Sequence, residues 1–347
     1  MHFSYITNAA ISKQNDRPLM QKEVFEVSNG LQQYLKKYNR DIELPITYKD
    51  LLYYQYTNAI KDKNGKHTHW ENVVYAAEML PQLYKKLLLT YQLLTKFDSN
   101  NFTVAAIDFC EFANSMPYRI TVVHKQTKLA SWFYIKMADA SRLYGLELEY
   151  LLTTNIINFF YHQNTLVETH IDGIAGDDFL LQLPSCSLVE KKQIAQAFIL
   201  FNEQCFARLL GDMRSYNFVV LNNTNGTYTF KPIDFDQQCY EGKLALYFAQ
   251  FYKENNIYIQ LVNEVLTTQQ IEYFRQIARG NMAIQANTNA NQLTNLLTVL
   301  LPEQITDGYK IIALKTALNA YFNTHVFTSC KTMGAILQQL LQQLNVF

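Results

Sequence analysis

The chain has 347 residues, 49% of them apolar and 17% charged, a composition too apolar and too sparsely charged for disorder and long enough for two domains or one large one. Thirty Lys and Arg balance 30 Asp and Glu, and a net charge of zero argues against broad electrostatic wrapping of nucleic acid. Eleven glycines are few against a usual share of about 7%, a handicap for any fold built on repeated glycine-rich phosphate loops. No apolar run reaches the ~18 residues of a membrane span, so none is expected. The opening MHFSYITNAAISKQND lacks the basic segment and apolar stretch of a secretory leader. Cys110, Cys186, Cys205, Cys239 and Cys330 are odd in number and widely spaced, which reads as reduced thiols in a cytoplasmic protein.

In chain order, residues 1–98 read as helical, with apolar three-and-four spacing over 24–38 and 73–97 and a polar loop at 62–69. The pattern changes near residue 101. Segments 102–109, 119–124 and 129–137 read as strands, followed by a short helix over 140–153 and two more strands, 155–161 and 166–172. Ser187 and Glu190 form a capping box opening a long helix that is expected to stop at Gly211. Residues 218–222 and 227–233 flank Asn225-Gly226, a strong hairpin signal. From Lys243 onward the chain reads as mostly helical. Thr267 caps one helix, Gly280 ends it, and 281–292 reads as an Asn/Gln-rich loop before two closing helices.

Four features could carry chemistry. Lys136, near the end of the third strand, is flanked by Tyr134, Ile135 and Met137 and, if buried, needs an anionic partner; alone it reads rather as an edge-strand lysine whose amine reaches water. Glu147 and Glu149 follow on the next helix, where one could turn inward. Asp212-x-x-x-x-Asn217 is a pattern short enough to arise by chance. Asp234 and Asp236 close the hairpin's second strand, and two carboxylates there suit a hard cation such as Mg²⁺. His67 and His69 are spaced for metal, but no third ligand lies near them in sequence.

The order of these pieces resembles a protein-kinase-like fold. Gly211-Asp212 through Asn217, the hairpin, and Ile233-Asp234-Phe235 are similar to the catalytic and metal loops of aminoglycoside phosphotransferases and choline kinases, over residues 101–345. The resemblance implies an α+β, two-lobed fold. A helical N-terminal extension (1–98) would precede an N-lobe (99–175) with a five-stranded antiparallel sheet plus a helix, and a mostly helical C-lobe (176–347). It implies ATP and Mg²⁺ as cofactors, with Lys136 on the α/β-phosphates and held by Glu149 or Glu147. Glu149 is favoured because Leu152 and Ile156 continue its helix face. Asp212 would accept the proton of the acceptor hydroxyl, Asn217 and Asp234 would hold metal, and backbone near Ile171 and Gly173 would meet adenine.

The chain departs from that pattern in identifiable places. Loop 110–118, CEFANSMPY, has no glycine, and Ala113, Asn114 and Ser115 take its centre, with Ser115 the candidate phosphate contact. Gly211 stands before Asp212 where protein kinases have His-Arg, which favours the small-molecule branch; Asp236 replaces a glycine, and Arg214 is a candidate phosphate or acceptor contact. The expected function is transfer of the ATP γ-phosphate to a hydroxyl of a small molecule, with neither nucleic acid nor membrane as partner. The alternative, favoured by the glycine-free loop, is an inactive pseudokinase serving as a binding scaffold. Transfer of AMP would use the same residues.

Overall fold

The computed structural model describes residues 24–62, 65–111, 113, 115–240 and 244–347; the opening segment and Asn114 lie outside them. The described chain divides into two units, 24–140 with Ile157–His170, and Ser141–Ile156 with Ile171–Phe347.

In the first unit, α1 (Asn29–Lys37) starts at Ser28, whose hydroxyl accepts the Leu31 N–H at 3.2 Å. A hairpin of β1 (Tyr56–Lys61) and β2 (His67–Val74) leads to α2 (Leu80–Thr95). Then come β3 (Phe102–Phe109), β4 (Tyr118–His124), β5 (Ala130–Met137), β6 (Phe159–His162) and β7 (Thr165–Thr169). They form one antiparallel sheet in the order β1-β2-β3-β4-β5-β7-β6. The period of two puts Ile107, Ile120 and Phe133 in one row, and Tyr118, Ile135 and Val167 in another. This face is buried with Leu83, Leu87, Tyr91 and Leu94 of α2. The other face carries Asp108, Arg119, Tyr134 and Glu168 in one cross-strand row.

The sheet has seven strands, not the expected five, because residues 56–74 form a hairpin where helix and loop were expected. Edge strand β1 is exposed at four of its six positions and so shows no apolar alternation. The three-and-four spacing from Val73 is partly accidental: β2 runs to Val74, and the helix opens only at Leu80, with Pro81 in its first turn. The described part of 1–98 is therefore no purely helical extension. Leu44, Ile46, Tyr48 and Leu51 join the sheet's core, and the Tyr75 and Tyr118 hydroxyls both donate to the Leu51 carbonyl, at 2.8 and 3.1 Å.

The second unit contains α3 (Ala140–Leu152) from Ser141 onward, β8 (Ile174–Ala175), α4 (Gly176–Phe179), α5 (Leu188–Arg208), β9 (Phe218–Asn222) and β10 (Tyr228–Pro232). It closes with α6 (Asn256–Val265), α7 (Thr268–Thr288), α8 (Ala290–Leu300), α9 (Gly308–Phe322) and α10 (Met333–Gln343). The Ser187–Glu190 capping box opens α5, which packs against α6, α7, α10 and β10 and after its first two turns is buried except along a half-buried stripe at Gln196, Leu200 and Gln204. It ends before Gly211, at Leu209, whose φ of +55° turns the chain. The expected hairpin forms, and β8 adds a third strand in the order β10-β9-β8. Gly173 has φ +144°, and a Cβ there would stand 2.7 Å from Val219 Cβ, so only glycine lets this segment run against β9.

Residues 281–288 continue α7 and 290–292 open α8, with only Asn289 between them in place of the expected loop. Ala278, Met282 and Ala286 recur every fourth residue on the buried side of α7, and this outweighs the Asn/Gln-rich composition and Gly280. All five cysteines are free thiols. Among the described residues, no helix is long and apolar enough to cross a membrane.

Candidate functional site

The β9–β10 hairpin determines where the polar residues of the second unit meet. Phe218 pairs with Pro232, and one residue outward the Ile233 N–H donates to the Asn217 carbonyl at 3.0 Å, so Asn217 and Ile233-Asp234 share one end of the hairpin. The segments leading in and out are also joined. Gly211 N–H donates to the Gln237 carbonyl at 3.1 Å, and Cys239 N–H to the Leu209 carbonyl at 2.8 Å. These bonds bring Asp212, Asn217, Asp234 and Asp236 into one neighbourhood.

Asp212 adopts φ +55°, a left-handed conformation rare for a residue with a Cβ. Its N–H donates to Tyr252 Oη at 2.7 Å, and Asn217 Nδ2 donates to its carbonyl at 2.7 Å and lies 3.4 Å from its Oδ2. Arg214 Nε stands 3.0 Å from Asp212 Oδ1, and its guanidinium lies over the Tyr252 ring. Burial works against the charge on Arg214, but a hydrogen bond to the Tyr216 hydroxyl and the Asp212 carboxylate outweigh it and hold its pKa above the ordinary value.

Arg142, in the first turn of α3, spans the second acidic motif. Its Nη2 lies 2.8 Å from Asp234 Oδ1 and its Nε 2.6 Å from Asp236 Oδ1, while Asp236 N–H donates to Asp234 Oδ1 at 3.1 Å. Gly145, one turn on, lets α3 come this close: a Cβ there would sit 3.0 Å from Phe235 Cβ. Sequence reasoning missed Arg142. The available signal was a cation in a helix's first turn, where the helix dipole disfavours it and carboxylates are needed to hold it.

Lys136 and the two α3 glutamates each find partners inside their own unit. Lys136 is buried on β5 in the first unit, where it makes an ion pair with Glu168 on the neighbouring strand β7. Both α3 glutamates are buried in the second unit. Glu149 pairs with Arg208 at the end of α5 and accepts from Asn155 Nδ2 at 2.6 Å and Thr153 Oγ1 at 2.9 Å. Glu147 accepts from Gln292 Nε2 on α8 at 3.0 Å. Both face inward because α3 is enclosed almost all round, so each meets a partner on a packed helix or its flank. Burial pushes the Arg208 pKa down.

Ser115, the candidate phosphate contact, is buried, and its carbonyl accepts the Met137 N–H at 3.2 Å. The Tyr48 hydroxyl holds the next carbonyl, that of Met116, at 2.9 Å. The loop is thus fastened through its backbone. Ile171 is half-buried where the chain re-enters the second unit, and Gly173 lies against β9. His67 and His69 lie on β2, and among the described residues no three His, Cys, Asp or Glu side chains form a metal cage.

The hairpin-end donors do fit a hard cation that draws its remaining ligands from phosphate and water. Asn217 uses its Nδ2 toward Asp212, which leaves the amide Oδ1 to serve as an oxygen ligand, and Asp234 keeps 29% of its side chain exposed. The residues implied for the phosphate grip fit less well, since Lys136 is already paired and Ser115 is turned into the fold. No protein-family model matches the chain, and no curated protein matches it.

Proposed function

We propose that the hairpin-end cluster is the site of an ATP- and Mg²⁺-dependent phosphotransferase that acts on a hydroxyl of a small molecule, in a cytoplasmic protein. One observation carries this reading: Asp212, Asn217 and Asp234 are tied by backbone and side-chain hydrogen bonds to one end of the β9–β10 hairpin. In phosphoryl transfer, positioning and neutralisation of charge do most of the work. Asp212 accepts the acceptor's hydroxyl proton on its carboxylate, which is 26% exposed. Asn217 and Arg214 fix the orientation of that carboxylate, and Tyr252 fixes its backbone. Asn217 Oδ1 and Asp234 would hold Mg²⁺, which supplies charge neutralisation at the transferred group.

The test is ADP release with ATP, Mg²⁺ and a panel of small hydroxyl compounds. Asp212→Asn and Asp234→Asn each lower turnover at least a hundredfold while the circular dichroism spectrum and melting cooperativity persist. Full turnover in Asp234→Asn removes the metal assignment.

A second reading, a pseudokinase scaffold, is favoured by the engaged Lys136 and the backbone-fastened, glycine-free loop 110–118. Thermal shift separates the two, because a ligand at 100 times its Kd adds about 2.7 kcal/mol to stability. No shift at millimolar ATP–Mg²⁺, together with no ADP release, selects the scaffold.

A further inference from the structure

We infer that Arg142 is the resident cation of the Asp234/Asp236 pair and keeps bare divalent metal out of the site. The inference rests on the metal role proposed above for Asp234 and adds how that metal is controlled.

Arg142 is almost fully buried, with 3% of its side chain exposed, and it spends Nη2 on Asp234 and Nε on Asp236. Asp236, 6% exposed, needs a counter-charge to stay ionised inside the protein. Asp234 does not need one on the same ground, since its side chain is 29% exposed and reaches water. A guanidinium serving only to neutralise the buried acid would stop at Asp236. This one forks to the accessible carboxylate as well, and takes the oxygen that also receives the Asp236 N–H.

The helix contributes a second reason. Near the start of α3 the helix dipole repels a cation. Arg142 holds that position because α3 is pressed against the 233–238 segment at Gly145, with its cationic end facing the acidic motif. Arg142 already holds one oxygen of each carboxylate, so a divalent ion arriving alone meets engaged ligands and a fixed positive neighbour. Phosphate oxygens arriving with the ion offset that repulsion, so metal loading is coupled to arrival of a phosphate ligand.

The experiment is titration of the full chain with Mn²⁺ alone, without nucleotide, following the free ion by electron paramagnetic resonance. Arg142→Gln is expected to bind Mn²⁺ at least tenfold more tightly than the wild type, and Arg142→Gln/Asp234→Asn loses that gain. Equal affinity in Arg142→Gln and wild type overturns the inference, as does a gain that survives in the double variant. If circular dichroism shows Arg142→Gln unfolded, Arg142→Lys replaces it, retaining the charge without the fork. A gain of about threefold is then expected, and no gain overturns the inference. Turnover is a separate readout. A Mn²⁺ gain in a chain without turnover keeps this inference and removes the phosphotransferase, whereas Mg²⁺-dependent turnover with unchanged Mn²⁺ affinity does the reverse.

Discussion

The two sheets handle their charges in opposite ways. In the seven-stranded sheet, Lys136 and Glu168 stand a diagonal step apart on neighbouring strands, so the ladder that pairs Lys136 with Leu166 also delivers its ion partner. Both side chains are under a tenth exposed. At the end of the three-stranded sheet's hairpin, the charges are gathered from α3, the 212–217 loop and the 234–236 motif, and the side chains of Asp212 and Asp234 stay 26% and 29% exposed. A buried pair one strand apart serves the architecture. The open cluster drawn from distant segments, with one acid in a left-handed conformation, is where we place the proposed site.

Variants can break or sharpen this contrast. The largest effect is expected at a closed pair of the helical unit. Arg208→Met leaves the buried Glu149 without its cation, a loss of about 3–5 kcal/mol that chemical denaturation reads as a lowered midpoint. Lys136→Met is expected to cost about 3 kcal/mol for the same reason, while Lys136→Met/Glu168→Leu stays within about 1 kcal/mol of the wild type, because the uncompensated charge is gone. A double variant as unstable as the single would show that the two side chains make stabilising contacts besides the one to each other. The smallest effect is at the α5 cap: Ser187→Ala removes the acceptor of the Glu190 N–H and lowers stability by about 1 kcal/mol in a thermal melt.

Much of the local structure was legible before any coordinates. Strands at 102–109, 118–124 and 130–137, the Ser187 and Thr267 caps and the Asn225-Gly226 turn all follow from patterns within a few residues. The β1–β2 hairpin was not legible, because an exposed edge strand has no buried side to write a period into the chain. The helix through 281–288 was missed because amide-rich composition concealed Met282 and Ala286 at four-residue spacing. Within the candidate site, Asp212, Asn217 and Asp234 were singled out through the resemblance that their order carries, whereas Arg142 and Tyr252 were not singled out at all.

By itself, then, the sequence determined those strands, helices and turns whose alternation, cap or turn residues stand out within a few positions, and it placed the Asp212–Asn217 loop just before a hairpin that ends in Asp234. Only the tertiary structure decided the ion pairs. Lys136 took Glu168, Glu149 took Arg208, and Arg142 took Asp234 and Asp236, partners separated by 32, 59, 92 and 94 residues. A charge reveals no period and no direction along the chain. Its partner is set by which helix or strand packs beside it, and Gly145 against Phe235 is the contact that settled it for Arg142.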